Sequence, residues 1–220
     1  KYGADPNKTN SKDHNSLMHA ITKRSIELVK LLITTEININ SQSSNGFTAL
    51  HFAIDLQQTE IVKLLLQHPE INTDVADYET EDTPLFRAVI LNNKQIVEML
   101  LKTDIDINHQ KTDGTSVLHQ VLRDDNLECF KMFVKRVDTI YDLLDLNGDT
   151  VLHTALYLLD TDETNVKQYL DHLLPASDLN IQNSDGITPF HLLCQSGWWT
   201  HFIDILKTKD LLLREEKDLI

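Results

Sequence analysis

The chain has 220 residues, 41% of them hydrophobic, enough to bury a core the size of one or two domains. Its 34 acidic residues outnumber its 20 lysines and arginines, and a net charge of -14 opposes the counterion release behind most nucleic-acid affinity, so DNA and RNA are excluded as expected partners. The apolar runs are far shorter than the roughly 18 residues of a membrane span, and no signal peptide opens the chain; Cys129 and Cys194 are too few for a secreted disulfide framework, so a cytoplasmic protein without membrane insertion, its thiols buried, is expected.

In chain order, "KYGADPN" reads as the end of a unit whose helices are absent, so residues 1–10 form a partial unit and the chain is expected to be a monomeric segment of a longer protein. Six fuller units follow, at about 11–43, 44–78, 79–111, 112–145, 146–183 and 184–220. Each opens with a short apolar-striped stretch: "NSLMHAI", "TALHFAI", "TPLFRAV", "SVLHQVL", "TVLHTAL" and "TPFHLLC". About ten residues later comes a second stripe, "IELVKLLI", "TEIVKLLL", "KQIVEMLL" and "LECFKMFV" in the first four, which makes each unit helix, turn, helix. The fifth unit has about five extra residues, assigned to a lengthened turn in "YLLDTDETN". In the last, "GWWTHFIDIL" carries a shifted outer helix, Gly197 standing as a C-cap and Trp198 and Trp199 covering the end of the core. The predicted class is all-α.

The units align on Asn15, Thr48, Thr83, Ser116, Thr150 and Thr188, spaced 33, 35, 33, 34 and 38 apart. Two, five and six places later stand apolar columns, beginning Leu17, Ala20 and Ile21 and ending Phe190, Leu193 and Cys194, which form one stripe of an inner helix. Gly46, Gly114, Gly148 and Gly186 lie two before the aligned residue, where positive φ is expected. Pro84 and Pro189 follow it at the first helical position, and the threonines read as N-caps. Glu81 replaces the glycine in "DYETED", so that loop is expected to differ. The period and the motif "TALHFA", "TPLFRA", "SVLHQV", "TVLHTA", "TPFHLL" resemble the ankyrin repeat over essentially the whole chain. The resemblance implies a single domain, an ankyrin-type solenoid of helix-turn-helix units with finger-like connecting loops, stacked right-handedly.

Catalysis and metal chemistry are argued against. His51, His119, His153 and His191 share one motif position in different units, too far apart to ligate one metal, and are assigned to bonding of loop backbone. Asp145, Asn147 and Asp149 mimic a calcium loop but lack its glycine and its final glutamate. Neither a cofactor nor an enzyme activity is expected. Leu100, Asp106, Ile107 and Asn108 resemble the substrate motif of asparagine hydroxylases, with Asn108 as acceptor; the alternative role of that asparagine is to stabilise its turn.

The resemblance implies a non-catalytic protein-binding scaffold or adaptor, with a regulatory or substrate-docking segment of a larger enzyme or effector as the alternative. Its partner would lie on the inner helices and finger tips. Candidate contacts there are Phe52, Leu56, Arg87, Leu91, Gln120 and Tyr157. Asp82, Asp145 and Asp149, in lysine-free acidic stretches, are expected to form a negative edge that steers a basic segment. The first thirty residues run the other way, with six lysines and arginines against three acids.

Overall fold

The structure, a computed structural model, describes residues 3–158, 163–196 and 203. Among these residues the chain forms eleven α-helices and no strand. They come in pairs: α1 (Ser16–Thr22) and α2 (Ile26–Leu32), α3 (Ala49–Asp55) and α4 (Thr59–Leu66), α5 (Pro84–Ile90) and α6 (Lys94–Leu100), α7 (Val117–Arg123) and α8 (Leu127–Phe133), α9 (Val151–Tyr157) and α10 (Glu163–Leu173), then α11 (Pro189–Gln195). Gly197, Trp198, Trp199 and the expected final outer helix lie outside the described residues, as do Asp160 and Asp162.

Helices of seven residues are too short to stand alone in water, so caps and packing hold them. The six aligned residues are all N-caps, each accepting the N–H three places on, and Pro84 and Pro189 occupy the first turn. The turn within each of the first four pairs is uniform. Arg24, Gln57, Asn92 and Asp125 all adopt left-handed φ, between 46° and 57°, and the next N–H returns to the carbonyl of Ala20, Ala53, Ala88 or Val121. Without glycine this conformation has no sequence signal, and it was not expected.

The chain divides into two compact units, Lys1–Lys111 and Thr112–Ile220, at a predicted repeat boundary. In the first, α1, α3 and α5 pack in succession, with α2, α4 and α6 beside them; in the second, α7, α9 and α11 do so, with α10 against α8 and α9. The inner core column is buried from Leu17 to Leu152, none more than 2% exposed. The sixth unit departs from it. Phe190 is 39% exposed and Cys194, expected to be a core thiol, is exposed, while Leu193 of α11, which packs on α9, is buried. Cys129 is buried as expected.

The expected finger glycines have φ between 74° and 86°. Beside Gly148, a Cβ would stand 3.1 Å from the backbone of Asn183 and Ser184 in the next finger, so strain and crowding both favour glycine. Most fingers close from an N–H to the carbonyl four residues on, as from Ser43 to Phe47 and Asp145 to Asp149; "DYETED" closes over five, from Asp77 to Asp82. The loop therefore differs as expected, by one residue. Glu81 still adopts φ 57°, because the Asp77 carboxylate accepts the N–H groups of Glu79, Thr80 and Asp82 and holds the turn.

In the fifth unit the segment expected to lengthen the turn, residues 159–162, lies outside the described residues, and the outer helix is longer: α10 has 11 residues, where α2, α6 and α8 have 7. It buries Val166, Tyr169, Leu170 and Leu173, and the Tyr169 hydroxyl donates to Asp125 at 2.8 Å.

A side-chain ladder runs along the loops of the first unit. Asn7 and Asn40 each accept the N–H of the residue one repeat on, Asn38 and Asn72, and donate through Nδ2 to the Glu36 and Glu70 carbonyls. Asp74 takes the same place and accepts from Asp106, but has no donor. Burial, and then the Asp106 charge, outweigh that bond and raise its pKa above the ordinary carboxylate value. Asp74→Asn is expected to stabilise the protein by about 0.5–1.5 kcal/mol at neutral pH, its amide reaching the Asp104 carbonyl. The protonated form is the one the fold favours, so the advantage should shrink as pH falls through the raised pKa; chemical denaturation at neutral and acid pH measures both.

Candidate functional site

The inner helices carry two columns that do not share the uniform core chemistry. One is the residue before each N-cap: His14, Phe47, Asp82, Thr115, Asp149 and Ile187. The other lies four after it: His19, Phe52, Arg87, Gln120, Thr154 and Leu192.

In the first unit the two columns meet. His14 lies against His19, with centroids 5.8 Å apart, Phe47 against Phe52 at 5.8 Å, and Asp82 pairs with Arg87 at 3.4 Å. Cross-links to the next unit join these pairs: His14 meets Phe52 edge-on at 4.9 Å, and the Arg87 guanidinium stands 5.3 Å from the centre of the Phe47 ring. Arg87 also grips Asp55 through two bonds, at 3.0 and 2.9 Å. Burial works against its charge, but the bonds to Asp55 and then Asp82 outweigh it and raise its pKa. Leu56 and Leu91, at the C-terminal ends of α3 and α5, are half-buried, and Arg24 donates to the Leu56 carbonyl. Phe52 and Arg87, which the sequence suggested, are joined to Phe47 and Asp55 by these contacts. His14, Phe47, Asp55 and Arg24 were missed, although a column before the N-cap as varied as the column after it was there to be read.

In the second unit Tyr157 is 48% exposed, and its hydroxyl donates to Asp149 at 3.3 Å. Gln120 is half-buried and donates to Asp124. Burial, followed by the Asp149 charge, raises the Tyr157 pKa.

The negative edge does not have the form expected. Asp82, Asp145 and Asp149 are only 2%, 8% and 7% exposed. Asp82 pairs with Arg87 and Lys111. Asp145 accepts the N–H groups of Asn147 and Asp149 and pairs with Arg123 at 2.7 Å. Asp149 accepts from Asn183 at 2.7 Å. A carboxylate has four lone-pair positions, and here they are occupied before any partner arrives: by backbone N–H groups and Arg123 at Asp145, by Arg87 and Lys111 at Asp82, and by the Asn183 amide and the Tyr157 hydroxyl at Asp149.

The motif histidines serve the backbone, as expected. In His51, His119 and His153, Nδ1 accepts the N–H of its own N-cap residue, so the other nitrogen, Nε2, carries the proton and donates to the carbonyl of Asp82, Asp149 or Ile187. Each ring fastens an inner helix to the base of the following finger. Burial lowers the pKa of His51 and His119, which keeps them neutral for this role. Asn108 is half-buried in the loop column of Asn7 and Asn40, its N–H donating to Asp106 at 2.9 Å, while Leu100 and Ile107 of the same motif are buried.

A family model for ankyrin repeats, in three copies, matches residues 2–77 and 85–170. The chain belongs to the ankyrin-repeat family. A putative ankyrin repeat protein of Acanthamoeba polyphaga mimivirus is 29% identical over 94% of this chain, which spans 30% of that relative. The E3 ubiquitin-protein ligase KEG of Arabidopsis thaliana is 26% identical over 73% of this chain and 10% of its own length. This ankyrin-repeat chain thus spans less than a third of either relative. The solved ankyrin repeat domain of Bcl-3 superposes with a TM-score of 0.73 at 20% identity, covering 86% of this chain and 82% of that one, which shows a shared fold. Ankyrin repeats are in general protein-interaction modules. Among the described residues no group of three or more His, Cys, Asp or Glu is placed to hold a metal ion, and no helix is long and apolar enough to cross a membrane.

Proposed function

We propose that this chain is a non-catalytic protein-binding module, a scaffold or adaptor acting in the cytoplasm, whose partner lies on the exposed side of the inner helices. The observation that carries this reading is the contrast between columns. Residues two and five after each N-cap are apolar in every unit and buried up to the fifth, whereas those before the N-cap and four after it range over histidine, phenylalanine, arginine, aspartate, glutamine and threonine. Asp82, Thr115, Asp149 and Thr154 of these columns are buried, but His14, Phe47, Phe52, Arg87 and Gln120 stay half-exposed and differ from repeat to repeat, which suits a particular partner better than it suits stacking.

A second reading, a docking segment of a larger enzyme, is favoured by the similarity to one tenth of the length of a ubiquitin ligase. Affinity capture from the native cell tests the first. Wild-type protein is expected to retain a specific partner that a Phe52→Ala, Tyr157→Ala variant loses, with the circular dichroism of the two unchanged. Equal capture by both would remove these residues from the binding surface.

A further inference from the structure

The half-exposed face of residues 1–111 has a direction. At one end stands α1, and around it Lys12, His19, Lys23 and Arg24 are exposed, with Asp5, Asp13 and Glu27 the exposed acids of the same thirty residues. Burial first, and then the neighbouring His19 and Lys12, lower the pKa of His14, against the opposing charge of Asp13. Arg24 reaches across to the Leu56 carbonyl at 3.1 Å, which places a guanidinium at the border of the next inner helix. In the middle, Phe52, Leu56 and Leu91 are half-exposed. At the far end the charge of Arg87 is already matched by Asp55 and Asp82. The buried aspartates that suggested a basic partner already have partners: Arg87 and Lys111 for Asp82, Arg123 for Asp145 and Asn183 for Asp149.

We propose that this face binds an acidic protein segment with a large apolar side chain, the acidic end over α1 and the apolar anchor over Phe52 and Leu56. This rests on the reading of the chain as a protein-binding module and names the chemistry of its partner. Opposite charge at one end sets orientation and speeds encounter, while burial of the half-exposed apolar centre supplies the affinity. A nucleic acid fits less well. The Phe47 ring already carries His51, stacked at 5.5 Å, and the Arg87 guanidinium, leaving less ring face on which a base could stack.

The test is to pan a random peptide library on the folded protein and to measure the enriched peptides at low and high salt. Enriched sequences should be net acidic and carry an aromatic residue or leucine. Lys12→Glu with Lys23→Glu, both exposed, should weaken them by about tenfold at low salt and flatten the salt dependence. Phe52→Ala should weaken them by about tenfold at either salt; circular dichroism must match wild type for both variants. Enrichment of basic peptides, or acidic peptides indifferent to the charge reversal, overturns the proposal and leaves the binding-module reading standing. No enrichment above heat-denatured protein overturns both. A thymidine oligonucleotide that binds directly, and loses affinity in the charge-reversed variant, assigns the face to nucleic acid and overturns the proposal too.

Discussion

Leu118→Ala is expected to lower the free energy of unfolding by about 2–5 kcal/mol, read from chemical denaturation. Leu118 lies on α7, 2% exposed, in the column two places after the N-cap. Truncation removes three heavy atoms from a site lined by its own outer helix and the neighbouring inner helix, and short helices held by caps on either side cannot collapse far into the space. A solenoid adds a second effect. Its stability is close to a sum of unit and interface terms, so a cavity in one unit weakens the interfaces on which its neighbours depend, and the transition should broaden as well as move. Phe190 is the control. It holds the same column in the sixth unit but is 39% exposed, so Phe190→Ala should cost well under half as much, although it removes more atoms. Equal losses at the two positions would show that burial in this column is not what the structure says.

The repeat made most of this fold readable because each expensive position is sampled six times. A single Thr-Pro pair is weak evidence of a helix start; the same pair at the head of two units, with Asn15, Ser116 or threonine in the others, fixes the N-cap column. The structure agrees at all six. What escaped had no repeated signature. The left-handed residue ahead of each of the first four outer helices is arginine, glutamine, asparagine or aspartate, and only the return bond to the carbonyl five before the N-cap selects it. The growth of α10 escaped because extra residues do not announce whether they join a turn or a helix. The binding face was half legible: side chains four after the N-cap could be counted by helical period, but their partners before the N-cap sit on finger bases, whose direction periodicity does not give. The same limit explains the misplaced acidic edge, since charge read along a sequence does not distinguish a carboxylate facing water from one turned inward to hold a loop.

Asp145→Lys puts that distinction to the test, and the expected result is a loss of about 3 kcal/mol in chemical denaturation. Three interactions go at once: Oδ1 no longer accepts from Asn147 at 2.9 Å and Asp149 at 3.0 Å, and Oδ2 no longer pairs with Arg123 at 2.7 Å. The lysine also sets a second cation beside Arg123 at a nearly buried position. The damage should spread by bonds that start from the same finger. Its base holds the Asp149 carbonyl, to which His119 donates at 3.2 Å, and its tip donates from Leu146 to the Asp113 carbonyl at 2.7 Å. Asp145→Asn separates the two roles, because it keeps an acceptor for the backbone N–H groups and removes only the ion pair with the half-exposed Arg123. That variant should lose about 1 kcal/mol or less, a loss that shrinks in high salt. The order of the two variants is the decisive quantity. If Asp145→Lys unfolds no more readily than Asp145→Asn, the carboxylate points outward in solution, and a negative edge that steers a basic partner returns as the better account of this finger.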